Sequence, residues 1–269
     1  MGVTGAAIYD ALRFQQDTRV ASRNFYGVLR VKEYGTPGGT DHLRRLMHGV
    51  IMHGEQFLHP EQRGMATTYY QRTSGIGAAL LARRERPGVM HVGVIGLGTG
   101  TLAAYGRRGD TYRFYDINPR VIDVARREFT YLADSVARVE IVLGDARLSL
   151  EREAPQHFDV LAVDAFSSDA IPVHLITKEA LGVYLRHVKL DGIVAFHVSN
   201  RFLDLVPVVA RLAHEQGAHA VAVFETTGED DARTQSDWVL VSRDPAALRG
   251  GELEAVGAEP AEDRDALRT

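Results

Sequence analysis

Four apolar segments of the chain each end in glycines or acidic residues, which are groups that can bind a ligand or move a proton. The segments are HVGVIGLGTGT (91–101), YRFYDINP (112–119), VEIVLGDAR (139–147) and FDVLAVDAFSSDAIP (158–172). Their composition is typical of buried strands. The carboxyl ends of parallel strands meet at one edge of an open α/β sheet, where such sheets bind their ligands. We therefore expect the four polar ends to form one site.

The glycine loop after the first segment predicts a close approach of the backbone to a ligand. Gly96, Gly98 and Gly100 alternate. Thr101 stands where a dinucleotide fingerprint has its third glycine. Asp116 lies 20 positions after Gly96, at the end of the next strand, where a carboxylate can accept hydrogen bonds from both hydroxyls of a ribose. The two features together predict a nucleoside site.

The third segment ends in Asp145 and Ala146, and two interpretations of these residues are open. The Asp145 carboxylate can accept a hydrogen bond from an adenine amino group, and the small Ala146 leaves room for the flat ring. Asp145 can also cap the helix predicted for the following sequence ARLSLERE. One short loop is able to do both.

Asp164 follows the almost wholly apolar sequence FDVLAV and opens a loop. A carboxylate at the rim of a dry sheet is suited to act as a base or as an anchor for a cation. The alternative is a simple turn cap. Asp169 is a second acidic candidate in this loop, although Ser167, Ser168 and Asp169 before Pro172 also make an ordinary loop sequence.

Histidines occur in two further places that could contribute to a site. His48, His53 and His59 have the wrong spacing for a tight set of metal ligands, so we interpret them as hairpin surface or substrate lining and expect no metal. His197 comes near the end of the fifth strand, followed closely by Ser199, and either faces the site or is a hydrogen-bonded structural residue.

Composition narrows the classes of partner. The chain has 269 residues, a formal net charge of −4 and no cluster of Lys and Arg, so nucleic acid is not an expected partner. It has no cysteine, which excludes disulfides and thiolate chemistry and favours a cytoplasmic location. No run of 18 apolar residues is present, so we expect no membrane contact by this chain. A membrane domain elsewhere in a longer native chain is an alternative that the sequence leaves open.

The order of predicted elements indicates an α/β fold with seven strands. We expect a helical lead-in at 1–22, a small N-terminal β domain at 23–66, a nucleoside-binding catalytic domain at 67–245 and a flexible tail at 246–269. Trp238 alternates with buried positions and is predicted as core.

Over residues 23–245 the chain resembles the polyamine aminopropyltransferase (spermidine synthase) family, in particular its bacterial branch that is often fused to membrane segments. Besides the four strand ends, the resemblance rests on LMHGVIMHGEQ (46–56) and TTYYQRTSGIG (67–77). It implies a Rossmann-like sheet of the class I methyltransferase type and a homodimer.

The site residues that the resemblance implies fall into two groups. Those binding the cofactor are the loop glycines, Gln56, Ile117, Asp116 for the ribose, and Asp145 with Ala146 for the adenine. Those serving the substrate are Asp164 and Asp169 for the amine, and Tyr69, Tyr70 and Gln71 for the substrate chain, with Asp164 and Tyr70 as the catalytic pair.

The resemblance implies transfer of a three-carbon arm from decarboxylated S-adenosylmethionine to an amine, with release of 5'-methylthioadenosine. Asp164 would take the proton of the amine. The chain departs from the family in two ways: Thr99 replaces an acid in the glycine loop, and Asp164 and Asp169 are five positions apart rather than three. Intact S-adenosylmethionine is therefore also a candidate co-substrate. Three alternatives stay open: cyclisation of the intact cofactor without an acceptor, methyl transfer, and a non-catalytic nucleoside sensor.

Overall fold

The computed structural model describes residues 17–49, 51–165, 172–200, 203–225 and 236–261. The strands within these ranges are β1 (Thr18–Asn24), β2 (Gly27–Tyr34), β3 (Leu43–His48), β4 (Ile51–Phe57), β5 (His91–Ile95), β6 (Thr111–Asp116), β7 (Arg138–Leu143), β8 (Phe158–Val163), β9 (Val188–His197), β10 (His219–Glu225), β11 (Ser236–Ser242) and β12 (Glu259–Pro260). The α-helices are α1 (Gly75–Arg84), α2 (Pro119–Glu128), α3 (Tyr131–Asp134), α4 (Ala146–Arg152), α5 (Lys178–His187), α6 (Val206–Glu215) and α7 (Gly251–Ala255). None of these described helices is long and apolar enough to span a membrane.

The main sheet has eight strands in the order β12-β10-β11-β9-β8-β5-β6-β7. The strands from β9 to β7 in this order are parallel, and β10, β11 and β12 add antiparallel pairs at the other side. Every residue of β8 is buried because helices cover both faces of the sheet, which explains its continuous apolar sequence. The α/β class is confirmed, and the sheet places the ends of β5, β6, β7 and β8 along one edge.

The predicted number of seven strands was wrong by one. The extra strand is β12, which has two residues and pairs with β10 through Glu259 and Pro260. A segment this short carries no alternation that sequence analysis could detect, and only its pairing makes it a strand. Residues 246–261, predicted as part of a flexible tail, contain α7 and β12, and Leu253 and Ala261 are buried in the core.

The N-terminal domain is an antiparallel sheet in the order β1-β2-β3-β4. The predicted hairpins correspond to β2, β3 and β4, but Thr18–Asn24 is a strand rather than the end of a helical lead-in. Its sequence TRVASRN is mostly polar, and its pairing with β2 determines its conformation. The remainder of the predicted lead-in, residues 1–16, lies outside the described residues.

The small sheet packs against α2, which follows β6 at the carboxyl edge of the main sheet. Leu29, Val31 and Leu46 form a buried cluster with Val124 and Phe129. Arg44 donates a hydrogen bond of 2.9 Å to the carbonyl of Glu128, and Asn24 donates one of 2.6 Å to Asn118. The N-terminal sheet is thus held over the carboxyl ends of β5 and β6.

Candidate active site

A cavity of about 910 Å³, including its open mouth, lies where the N-terminal sheet meets the carboxyl edge of the main sheet. Nine of the residues predicted for the site line it: Tyr69, Tyr70, Gly96, Gly98, Asp116, Ile117, Asp145, Ala146 and Asp164. The strand-end argument therefore brought together residues that are up to 68 positions apart in the chain, from Gly96 to Asp164, and the resemblance added Tyr69 and Tyr70.

The glycine loop forms the floor of the cavity between β8 and β4. Gly96 has a φ of 96°, and a side chain there would overlap the carbonyl oxygen of Asp164, so only glycine fits. A Cβ on Gly98 would lie 2.8 Å from the carbonyl oxygen of His53. The loop backbone is therefore in close contact with both domains and open toward the cavity.

Asp116 is held by the loop that it faces. Its Oδ2 accepts a hydrogen bond of 3.0 Å from the amide of Leu97, and its Oδ1 accepts one of 2.8 Å from the amide of Asn118. Burial raises the pKa of Asp116, and these two hydrogen bonds oppose the shift. Each carboxylate oxygen keeps further acceptor capacity, which suits two hydroxyl donors.

Asp145 caps a helix and also lines the cavity. Its Oδ1 accepts a hydrogen bond of 2.9 Å from the amide of Leu148 at the start of α4. Its Oδ2 lies 2.9 Å from Nε2 of His174, a half-exposed residue of the cavity rim. The two interpretations of Asp145 are thus structurally compatible, since the cap orients the carboxylate toward the cavity.

Asp164 is buried at the end of β8, and both of its oxygens have partners. The hydroxyl of Tyr70 donates a hydrogen bond to Oδ2, and Nδ1 of His197 lies 2.8 Å from Oδ1. Burial and the charge of Asp164 raise the pKa of Tyr70 well above its usual value, so its hydroxyl keeps its proton and remains a donor. Asp164 is therefore a fixed carboxylate and not a simple turn cap.

His197 is positioned by aromatic rings on both faces. It stacks on Tyr69 with ring centroids 4.4 Å apart and on Trp238 at 4.8 Å, and its Nε2 lies 3.0 Å from Oγ of Ser199. Trp238 is fully buried, as predicted for a core residue, and it also supports the site through this stacking. The sequence analysis left the role of His197 open; its position at a strand end was the signal for it.

His48 and His53 extend from the hairpin of β3 and β4 into the cavity wall, with ring centroids 5.5 Å apart. Nε2 of His48 donates a hydrogen bond of 2.7 Å to the carbonyl of Tyr26. Nε2 of His53 is buried and has no hydrogen-bond partner in the described ranges. Burial lowers the pKa of His53 to about 4. Among the described residues, no group of three or more His, Asp or Glu side chains could hold a metal ion.

Three predicted site residues do not reach the cavity. The amide of Gln56 is buried between the carbonyl of Arg63 and Thr130, so this residue joins the two domains instead. Gln71 is exposed, and Gly100 packs against Leu132. A segment that resembles a family motif predicts that the backbone passes near the cavity. The direction of each side chain depends on the local backbone geometry. Asp169 lies outside the described residues.

Thr99, which replaces an acid in the glycine loop, also faces away from the cavity. Its Oγ1 lies 2.7 Å from Oγ1 of Thr101, and its side chain packs against Gly54 of β4. Gly54 has a φ of 135°, and a side chain there would collide with Thr99. This residue therefore joins the glycine loop to the N-terminal sheet.

No protein-family model matches the chain, and no curated protein matches its sequence. Solved structures do match. A spermidine synthase in complex with the transition state analogue AdoDATO is 17% identical, with a TM-score of 0.61 over 91% of this chain and 80% of that chain. A probable spermidine synthase from Corynebacterium glutamicum is 17% identical, with a TM-score of 0.63 over 91% and 90%. This chain has the fold of the spermidine synthases.

The wider methyltransferase-like fold is visible in a further match. Human methyltransferase-like protein 13, in complex with SAH, is 18% identical with a TM-score of 0.50 over 71% of this chain and 90% of that chain. Both kinds of neighbour share the fold of this chain. Identities this low carry no information about the acceptor.

Proposed function

We propose that this protein is a spermidine synthase-like alkyltransferase that takes S-adenosylmethionine or its decarboxylated form as co-substrate. One observation carries the proposal: a single cavity joins a carboxylate suited to a ribose, Asp116, with a buried and rigidly held carboxylate, Asp164. The fold adds support, because one neighbour is a spermidine synthase that binds AdoDATO and another protein of related fold binds SAH.

In this proposal each part of the cavity has a distinct task. Asp116 accepts hydrogen bonds from the ribose hydroxyls, while Asp145 and Ala146 receive the adenine. The open backbone at Gly96 and Gly98 allows the sulfonium to approach closely. The cavity has three aspartates among its described lining residues and no Lys or Arg, which favours a cationic co-substrate.

Asp164 acts on the incoming amine. It orients the amine and accepts its proton as the nitrogen attacks the methylene next to sulfur; a C–N bond forms, the C–S bond breaks, and sulfur keeps the electron pair in neutral 5'-methylthioadenosine. Tyr70 and His197 hold the carboxylate from both sides, so that it is oriented before the substrate arrives.

The direct test is product analysis. Purified protein is incubated with S-adenosylmethionine or its decarboxylated form, each with and without putrescine, and 5'-methylthioadenosine is followed by chromatography and mass spectrometry. Amine-dependent product supports alkyl transfer to an external acceptor. Product from the intact cofactor alone assigns cyclisation instead, and binding without any product assigns a sensor.

Methyl transfer is a second candidate, favoured by the structural match to a human methyltransferase-like protein. The same incubation separates the two reactions, because methyl transfer leaves S-adenosylhomocysteine and transfer of the three-carbon arm leaves 5'-methylthioadenosine. S-adenosylhomocysteine as the sole nucleoside product would contradict the main proposal.

A further inference from the structure

His53 differs from the other polar side chains of the cavity wall. Asp116, Asp145, Asp164 and His48 each have hydrogen-bond partners within this chain. Nε2 of His53 is buried and has none in the part of the chain that the structure describes. Buried polar atoms in native proteins are nearly always paired, so an unpaired one in a ligand cavity indicates that the ligand supplies the partner.

The surroundings of His53 indicate the chemistry of that partner. The imidazole is neutral at pH 7, since burial lowers the pKa of His53 to about 4, and a neutral imidazole has one nitrogen with a free lone pair. Asp164 is close enough to act on His53 electrostatically. A carboxylate on the ligand would be repelled by Asp164 and the other two aspartates of the wall. A primary ammonium group has three N–H donors and can bind a carboxylate and an imidazole nitrogen together.

We propose that His53 is a further ligand-binding residue, which accepts a hydrogen bond from a primary amine that Asp164 holds through its charge. The inference rests on the proposed function, because it places this amine next to the three-carbon arm of an adenosyl co-substrate. Two sources present the same chemistry: the amino group at the end of the co-substrate's own arm, and the amino group of a separate acceptor.

The test compares His53→Leu with His53→Gln. Leucine removes the acceptor at similar volume, and the amide oxygen of glutamine replaces it. His91→Leu is the matched control, because His91 is exposed at the opposite edge of the sheet. Calorimetry measures the Kd of 5'-methylthioadenosine, which has no amine on its sulfur arm, of decarboxylated S-adenosylhomocysteine, and of putrescine in the presence of saturating 5'-methylthioadenosine.

We expect His53→Leu to leave the Kd of 5'-methylthioadenosine unchanged and to weaken the binding of an amine-bearing probe by roughly tenfold or more, as for a hydrogen bond to a charged group. His53→Gln should restore most of that affinity. A loss confined to decarboxylated S-adenosylhomocysteine assigns the amine of the co-substrate, and a loss confined to putrescine assigns that of the acceptor.

Two results would overturn the role of His53. In the first, His53→Leu binds both amine probes as the wild type does. In the second, it loses affinity for 5'-methylthioadenosine to the same extent, which would make His53 a support for the nucleoside end. Failure of the proposed function looks different, since the wild-type protein would then form no 5'-methylthioadenosine in the product analysis, whatever His53→Leu does to binding.

Discussion

The two edges of the main sheet hold buried carboxylates in different ways. At the amino edge, Asp159 accepts hydrogen bonds of 2.8 Å from both Arg83 and Lys189 and one of 2.9 Å from the amide of His91. At the carboxyl edge, Asp164 meets Tyr70 and His197, with no Lys or Arg among the described residues of the cavity wall. One edge neutralises its carboxylate with two cationic side chains, and the other pairs its carboxylate with a phenol and an imidazole.

Titration reflects the same difference. Burial alone would raise the pKa of Asp159, but its three donors overcome this effect and lower it. Burial raises the pKa of Asp116 at the carboxyl edge, where only backbone amides oppose the shift. Asp159 is thus matched by cations, whereas Asp116 keeps a desolvation cost, as is typical of functional sites.

The largest effect is expected from Asp164→Asn, which should reduce the formation of 5'-methylthioadenosine by about 10²- to 10⁴-fold because it removes the proton acceptor. The Kd of 5'-methylthioadenosine should stay unchanged.

Asp116→Ala should instead weaken the binding of 5'-methylthioadenosine by roughly 10- to 100-fold, since it removes the charged acceptor for the ribose. Calorimetry and product analysis check both. An equal loss of 5'-methylthioadenosine binding in the two variants would contradict the assignment of binding to Asp116 and of proton transfer to Asp164.

A change at the amino edge should affect stability and not chemistry. Asp159→Asn removes the buried partner of Arg83, which keeps only the partly exposed Asp191, and should lower the free energy of unfolding by at most about 3–5 kcal/mol, as measured by denaturant titration. Asp134→Asn, which breaks the exposed pair with Arg63, is the control and should change it by less than about 1 kcal/mol. If Asp159→Asn lost turnover per folded molecule, Asp159 would not serve stability alone, and the two edges of the sheet would not differ in role.

The smallest effect should appear in the pH dependence of stability. The pKa of His53 is about 4 when folded and about 6.5 when unfolded, so the unfolded chain binds more protons between these values. The wild type should therefore lose stability relative to His53→Leu as pH falls from about 6.5 to about 4. Asp159, with its lowered pKa, contributes stability that is lost only as pH falls below about 4. Parallel stability curves for wild type and His53→Leu over the upper range would show that His53 is not desolvated.

The elements of the main sheet could be predicted because their signals are local. The apolar runs before Gly96, Asp116, Asp145 and Asp164 identified consecutive strands, and the rule that parallel strands end at one edge placed their polar ends together. The predictions for Gln56 and Gln71 did not lead to the cavity, because the direction of a side chain depends on backbone geometry that a motif does not specify.

The sequence alone therefore determined the α/β class, seven strands of the main sheet and most of the carboxylates at its edge, since hydrophobic periodicity and strand order are properties of the chain itself. Only the tertiary structure decided which groups surround each carboxylate. Tyr70, His197 and Trp238 lie far apart in the chain and meet only when β11 pairs with β9 and the segment before α1 packs on them. The unpaired nitrogen of His53 arises in the same way, because burial is a property of the assembled fold and has no local sequence signal.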